Sequence, residues 1–207
     1  MMLAPLLLRP LLVERVWGRR DLGGWVGMAR TADNNPIGEA WLTDVTCQAE
    51  DGSTLAALMA SGQGGPGAPP LLAKLLFTAA PLSVQVHPTD AAAGVAGIPS
   101  GKDEAWHVLE ASPGAMVWIG FHRPVTEDAL RMAVADGSVL TLMRQHAARV
   151  GETILVPAGT VHAIGAGLVM LEVQDAIDVT YRLFDHGRPR PLQVDAALAV
   201  ADRGQSR

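Results

Sequence analysis

Gln85 and His87 stand two residues apart in the segment LSVQVH, so on an extended strand both side chains leave the same face while Val84 and Val86 leave the other. Glu104 in GKDEAW adds a carboxylate, and His162 at the end of GETILVPAGTVH adds a second imidazole. Two imidazole nitrogens, one carboxylate and a neutral amide oxygen, with room for water, make a donor set suited to one catalytic divalent metal ion such as zinc. A single histidine in a strand is usually a packing or surface residue, so the reading rests on the combination. A further acidic residue, Glu172, alternates with Val173 and shares a face with Gln174; pointing inward, it would serve as an acid or base.

These side chains need strands to carry them. From Leu82 onward, short segments rich in Val, Ile, Leu and Trp recur between turn signals (LSVQVH, EAWHVLE, AMVWIGF, ETILVP, LVMLEVQ, DVTYRLF), which is an antiparallel β pattern. Gly151 opens the strand before His162, and Val156-Pro157-Ala158-Gly159 reads as a type I turn that aims His162 into a barrel mouth. A helical excursion is expected over 126–149, with Thr126 capping and Gly137 ending its first helix. Ser53 with Leu55, Leu58 and Met59 suggests a short capped helix, the Gly- and Pro-rich stretch 61–70 a flexible loop, and the segments around Gly18, Gly23, Gly24, Gly27 and Gly38 further loops. The expected fold is mainly β: one jelly-roll barrel domain over 1–207 with a small helical insertion at 126–149.

The run Gly151 to His162 fits the second cupin motif, G-x5-P-x-G-x2-H, at every fixed position. Together with PLLAKLLFTAAPLSVQVHPTDAAA, GKDEAW and VPAGTVHAIGAGLVMLEVQDAIDVTYRLFDHGR, it closely resembles the type I mannose-6-phosphate isomerases, which are zinc-dependent cupins. The pair Trp17-Gly18 and the string GEAW at 38–41 agree with this. The resemblance implies Gln85, His87, Glu104 and His162 as metal ligands, Arg182 of DVTYR as a catalytic residue, and Lys74 and Ser83 in the sugar-phosphate pocket. His107 departs from the family, where Tyr is frequent; it should face away from Glu104. Known members continue into a further cupin domain, whereas this chain stops soon after LQVDAALAV. A barrel face is then left to cover, either by the N-terminal apolar segment 3–16 folded as strands or by pairing into a homodimer, which the apolar composition favours.

The chain has 207 residues with a formal net charge of −5, which argues against nucleic acid as a partner; 49% hydrophobic and 18% charged residues exclude disorder. Cys47 is the single cysteine, so no disulfide framework or CxxC motif exists and a reducing compartment, the cytoplasm, is expected. The apolar N-terminus is broken by Pro5, Arg9 and Pro10, so it reads neither as a signal peptide nor as a membrane span. Only two of the 16 basic residues are lysines, Lys74 and Lys102, and they bracket the QVH segment. Lysine offers a compact cation for phosphate, or a group whose pKa shifts on burial.

The expected reaction is the metal-dependent interconversion of mannose 6-phosphate and fructose 6-phosphate through a cis-enediolate, with Arg182 stabilising the developing charge and Lys102 or Glu172 moving the proton. Two alternatives stay open: a metal cupin that binds a sugar phosphate without turning it over, and a non-haem iron cupin oxygenase.

Overall fold

The computed structural model describes residues 7–27, 34–62 and 71–206. In chain order the strands are β1 (Leu8–Arg9), β2 (Leu11–Arg19), β3 (Ile37–Trp41), β4 (Gln48–Ala49), β5 (Leu71–Phe77), β6 (Val84–Val86), β7 (Glu104–Ala111), β8 (Met116–Phe121), β9 (Met143–Ala147), β10 (Thr153–Val156), β11 (His162–Ile164), β12 (Leu168–Asp175) and β13 (Tyr181–Phe184). The α-helices are α1 (Leu55–Ala60), α2 (Asp90–Ala96), α3 (Glu127–Asp136) and α4 (Val194–Val200). A six-stranded antiparallel sheet runs β10-β7-β12-β5-β3-β2, a five-stranded one runs β13-β6-β11-β8-β9, and β1 pairs with β4.

Strand alternation sorts the side chains into three apolar layers. Trp17, Leu76, Trp106, Val108, Val117, Ile164 and Met170 come from both large sheets and meet between them. On the outer side of the five-stranded sheet, Val84, Val86, Ala163 and Leu183 pack under Leu130 and Val134 of α3 and Leu198 of α4. On the outer side of the six-stranded sheet, Ala40, Leu75, Phe77 and Val169 pack against Leu22. The central strands of the two large sheets are therefore covered on both faces, and a polar residue on an inner face is there against the hydrophobic tendency. The mainly β, jelly-roll expectation agrees with this architecture.

Several local expectations need correction. The excursion over 126–149 is helical only to Leu142: α3 ends at Gly137, whose φ of 80° is left-handed, a 3-10 turn spans Val139–Leu142, and β9 follows as an edge strand paired with β8. An edge strand with one buried residue, Met143, carries too weak an alternation to read. The cap of α1 is Thr54, whose side chain accepts from the Ala57 N–H, and Ser53 lies outside it. Gly18 and Gly38 lie within strands β2 and β3 and not in loops. A Cβ on Gly18 would come within 2.4 Å of the Ile37 carbonyl carbon, and one on Gly38 within 2.4 Å of Arg15 Cβ, so close approach of the two strands explains both glycines. The expected loop at 61–70 lies outside the described residues from position 63 on. The N-terminal segment, where described, forms β1 and β2, and β2 closes one edge of the six-stranded sheet. No described helix is long and apolar enough to cross a membrane.

Candidate metal centre

Directly opposed residues in neighbouring strands share a face, and the register uses this to assemble the site. Gln85 of β6 lies opposite Arg182 of β13 on one side and His162 of β11 on the other, giving one inward row across three strands. On the facing sheet, Glu172 of β12 lies opposite Lys74 of β5 and Trp106 of β7, and Gln174 opposite Glu104. His87 follows β6 directly. The turn that brings His162 inward sits one residue later than expected: the Thr160 N–H donates to the Pro157 carbonyl at 3.1 Å, and Gly159 in the third position has φ 84°. A positive φ there belongs to a type II turn and explains the glycine. The same turn is stitched to the site, because the Gly159 N–H donates to the His87 carbonyl at 2.8 Å.

His87, Glu104 and His162 place one ligand atom each within 4.8 Å of one another, and all three are buried. His87 Nε2 lies 3.1 Å from Glu104 Oε1, and His162 Nε2 lies 3.6 Å from Glu104 Oε2. Both Nδ1 atoms face backbone carbonyls, His87 that of Val179 at 2.8 Å and His162 that of Thr160 at 2.9 Å. A carbonyl only accepts, so Nδ1 carries the proton in each ring and Nε2 presents a lone pair, the arrangement a metal-ligating histidine needs. His87 Nε2 is buried with no hydrogen-bond partner. Burial pulls the His87 pKa down to about 4 against the opposing pull of Glu104, with Lys102 and His162 adding to the fall. Burial also lowers that of His162. Burial would raise Glu104, but Lys102 and the two imidazoles hold it well below the usual carboxylate range. Two neutral imidazoles and a carboxylate, lone pairs converging, fit a divalent cation. The Gln85 amide, 3.2 Å from His162 Nε2, is within reach of the same point; with the amide turned by 180°, its oxygen becomes a fourth donor.

The cluster lies at a cavity of about 260 Å³ lined by Arg15, Trp17, Glu39, Lys74, Leu76, Leu82, Ser83, Gln85, Lys102, Glu104, Glu172, Asp178, Thr180, Arg182 and Arg190. All the residues expected from sequence are here or border it. Lys74 Nζ pairs with Glu172 Oε1 at 2.8 Å, Lys102 Nζ with Glu104 Oε1 at 2.9 Å, and the Ser83 hydroxyl donates to Gln85 Oε1 at 3.2 Å. Burial and the Glu104 charge raise the Glu172 pKa, which Lys74 and Lys102 only partly offset. Burial would lower Lys74, but Glu172, Glu39 and Glu104 raise it. Arg15 pairs with Glu39, and Arg190 with the buried Asp185. Arg182 differs: its Nη1 donates to the Pro191 carbonyl, its buried Nε has no partner, and among the described residues no carboxylate pairs with it. The other lining cations, Arg15, Lys74, Lys102 and Arg190, each have a carboxylate partner.

His107 faces away, as expected, its ring against Thr153 Oγ1 at 2.9 Å. Sequence reasoning missed Glu39, Trp106 and Arg190, because a strand Glu, a core Trp and a loop Arg have generic patterns; Glu39 lay within the GEAW string. A larger, shallower depression of about 740 Å³, lined by Arg19, Arg20, Thr78, Glu110 and Ser112 among others, holds none of the candidate residues.

No family model matches the chain. The mannose-6-phosphate isomerase of Streptococcus mutans is 37% identical over 142 residues, covering 66% of this chain and 45% of the relative. The probable mannose-6-phosphate isomerase GmuF of Bacillus subtilis is 31% identical over 216 residues, covering 95% of this chain and 68% of the relative. The chain thus spans under half of the first relative and about two thirds of the second. Among solved structures, the mannose 6-phosphate isomerase from Bacillus subtilis superposes with a TM-score of 0.85 at 29% identity, over 96% of this chain and 68% of that one. A mannose 6-phosphate isomerase bound with zinc and yttrium shares the fold, with a TM-score of 0.72 at 17% identity, over 97% of this chain and 75% of that one.

Proposed function

The chain belongs to the mannose-6-phosphate isomerase family, and from that premise we propose that it is an aldose-ketose isomerase interconverting mannose 6-phosphate and fructose 6-phosphate. The observation that carries the reading is the convergence of His87, Glu104 and His162 at a buried, charge-lined cavity. His87, Glu104 and His162, with Gln85, would hold one divalent ion, which we take to be zinc from the donor types and from the zinc-bound structure of the same fold. When bound, the ion would polarise the sugar oxygens at C1 and C2.

The difficult step is removal of a proton next to a carbonyl, and the chain's own residues supply the rest. Glu172, fixed by Lys74 and raised by burial, has the character of a group that takes a proton from C2 and returns it to C1. Lys102, its Nζ against Glu104, is the second candidate. Arg182, without a carboxylate of its own, would stabilise the enediolate charge as it develops. For the phosphate we infer Lys74 and Ser83, both of which line the cavity. We place the protein in the cytoplasm, consistent with its buried free Cys47, and propose a homodimer, which the apolar composition favours.

A coupled assay that detects fructose 6-phosphate formed from mannose 6-phosphate, with metal-analysed protein, tests the reading. Steady product formation is expected. Protein that carries its metal and binds the sugar phosphate, yet forms no product, would reduce the function to binding.

A further inference from the structure

Trp106 is fully buried, and its indole N–H faces two carboxylates at once: Glu104 Oε2 at 3.3 Å and Glu172 Oε2 at 3.1 Å. The register brings this about, because Trp106 follows Glu104 by two on the inner face of β7 and lies opposite Glu172 on β12. The ring stands edge-on to His162, with centroids 5.4 Å apart and planes at 71°. Its apolar body packs in the layer between the sheets, a role phenylalanine would fill as well. A buried N–H is costly unless bonded, and here it meets two anionic acceptors beside the donor cluster.

Each carboxylate is held from its other oxygen by a lysine: Glu104 Oε1 by Lys102 at 2.9 Å and Glu172 Oε1 by Lys74 at 2.8 Å. The lysines donate only to the Oε1 atoms, and the imidazole nitrogens that face Glu104 present lone pairs, so neither lysine by itself sets the plane of its carboxylate. The indole N–H on Oε2 sets the plane of both groups. We propose that Trp106 is a positioning residue: its N–H orients Glu104 toward the His87 and His162 nitrogens and ties that ligand to Glu172. The proposal rests on the metal reading above. Hydrogen-bond partners of metal ligands typically alter affinity by roughly 10- to 100-fold when removed.

Trp106→Phe keeps a ring and deletes the N–H. Zinc binding to the metal-free protein, measured by competition with a chromophoric chelator, should weaken by roughly 10-fold or more in this variant. Val108→Ala, which trims a buried neighbour on the same strand face without touching either carboxylate, should destabilise the protein and leave zinc affinity within about twofold, since it removes no partner of a ligand. In nitrogen-15 spectra the Trp106 indole resonance should move when zinc is added and when Glu172→Gln is introduced. Trp106→Phe binding zinc as tightly as wild type, or an indole resonance indifferent to both changes, overturns the proposal. Should Trp106→Phe not fold, the assigned wild-type resonance decides alone. Wild-type protein that binds no zinc overturns the metal reading itself and this proposal with it.

Discussion

Lys74 Nζ lies 2.8 Å from Glu172 Oε1 with side chains only 11% and 5% exposed, so an ammonium and a carboxylate on the sheet that carries Glu104 form one buried unit facing the His87 and His162 side of the site. Removing one partner of a buried pair leaves the other charge uncompensated, at a cost of about 3 to 5 kcal/mol, whereas replacing both with apolar groups costs far less. Lys74→Met should therefore lower unfolding stability by about 3 kcal/mol. The double variant Lys74→Met with Glu172→Met should lose less than the single one. Urea unfolding of both checks the expectation.

Arg182→Lys keeps a positive charge and loses the planar fork that can hold two oxygens. Turnover should fall by about 100-fold or more, as on loss of one charge-stabilising donor. Steady-state kinetics separate the possible roles: wild-type values would remove Arg182 from catalysis, and a change confined to KM would make it a substrate-binding residue.

Asp185 is buried and receives Arg188 Nη1 at 3.0 Å and Arg190 Nε and Nη2 at 2.6 Å each. Burial would raise its pKa, but the Arg190 bonds and the Arg190, Arg188 and Arg182 charges overcome this and hold it below the ordinary 3.8. A carboxyl with a depressed folded pKa contributes stability that is complete above its unfolded value and is lost as pH falls through the folded one. Asp185→Asn should cost about 3 kcal/mol near neutral pH, and its gap to wild type should shrink once pH drops below the ordinary value. A gap that stays constant into that acid range would contradict the assignment.

Gly18→Ala tests the close approach of β2 and β3. The added carbon would press on Ile37 backbone, which cannot swing aside as a side chain can. A melting temperature lowered by the equivalent of roughly 1 to 3 kcal/mol is expected, as for overpacking in general. An unchanged value would show that the strands separate freely.

How much of this was legible follows from the kind of signal each residue gives. Gln85, His87 and His162 were readable because polar residues interrupt apolar alternation, and His162 follows a Pro and a Gly that signal a turn. The turn itself was placed one residue early, since Pro is acceptable at several turn positions and only the φ of Gly159 distinguishes them. Trp106 looked like core, and its ring is core; which way the N–H points depends on pairing with β12, a contact 66 residues away. Gly18 and Gly38 looked like loop residues because glycine in sequence does not say whether it permits a turn or a close approach. The strand β9 was hidden for want of a second buried position.

If His87, Glu104 and His162 hold an ion on which isomerisation depends, metal content and turnover must move together. The most direct measurement follows conversion of mannose 6-phosphate to fructose 6-phosphate while metal per chain is counted, in wild type, after chelation, after zinc is restored, and in His87→Ala. Activity should fall with the metal, return with zinc, and be absent from a folded His87→Ala that retains little metal. Undiminished turnover in metal-stripped protein, or a full complement of metal in His87→Ala, would contradict the metal reading.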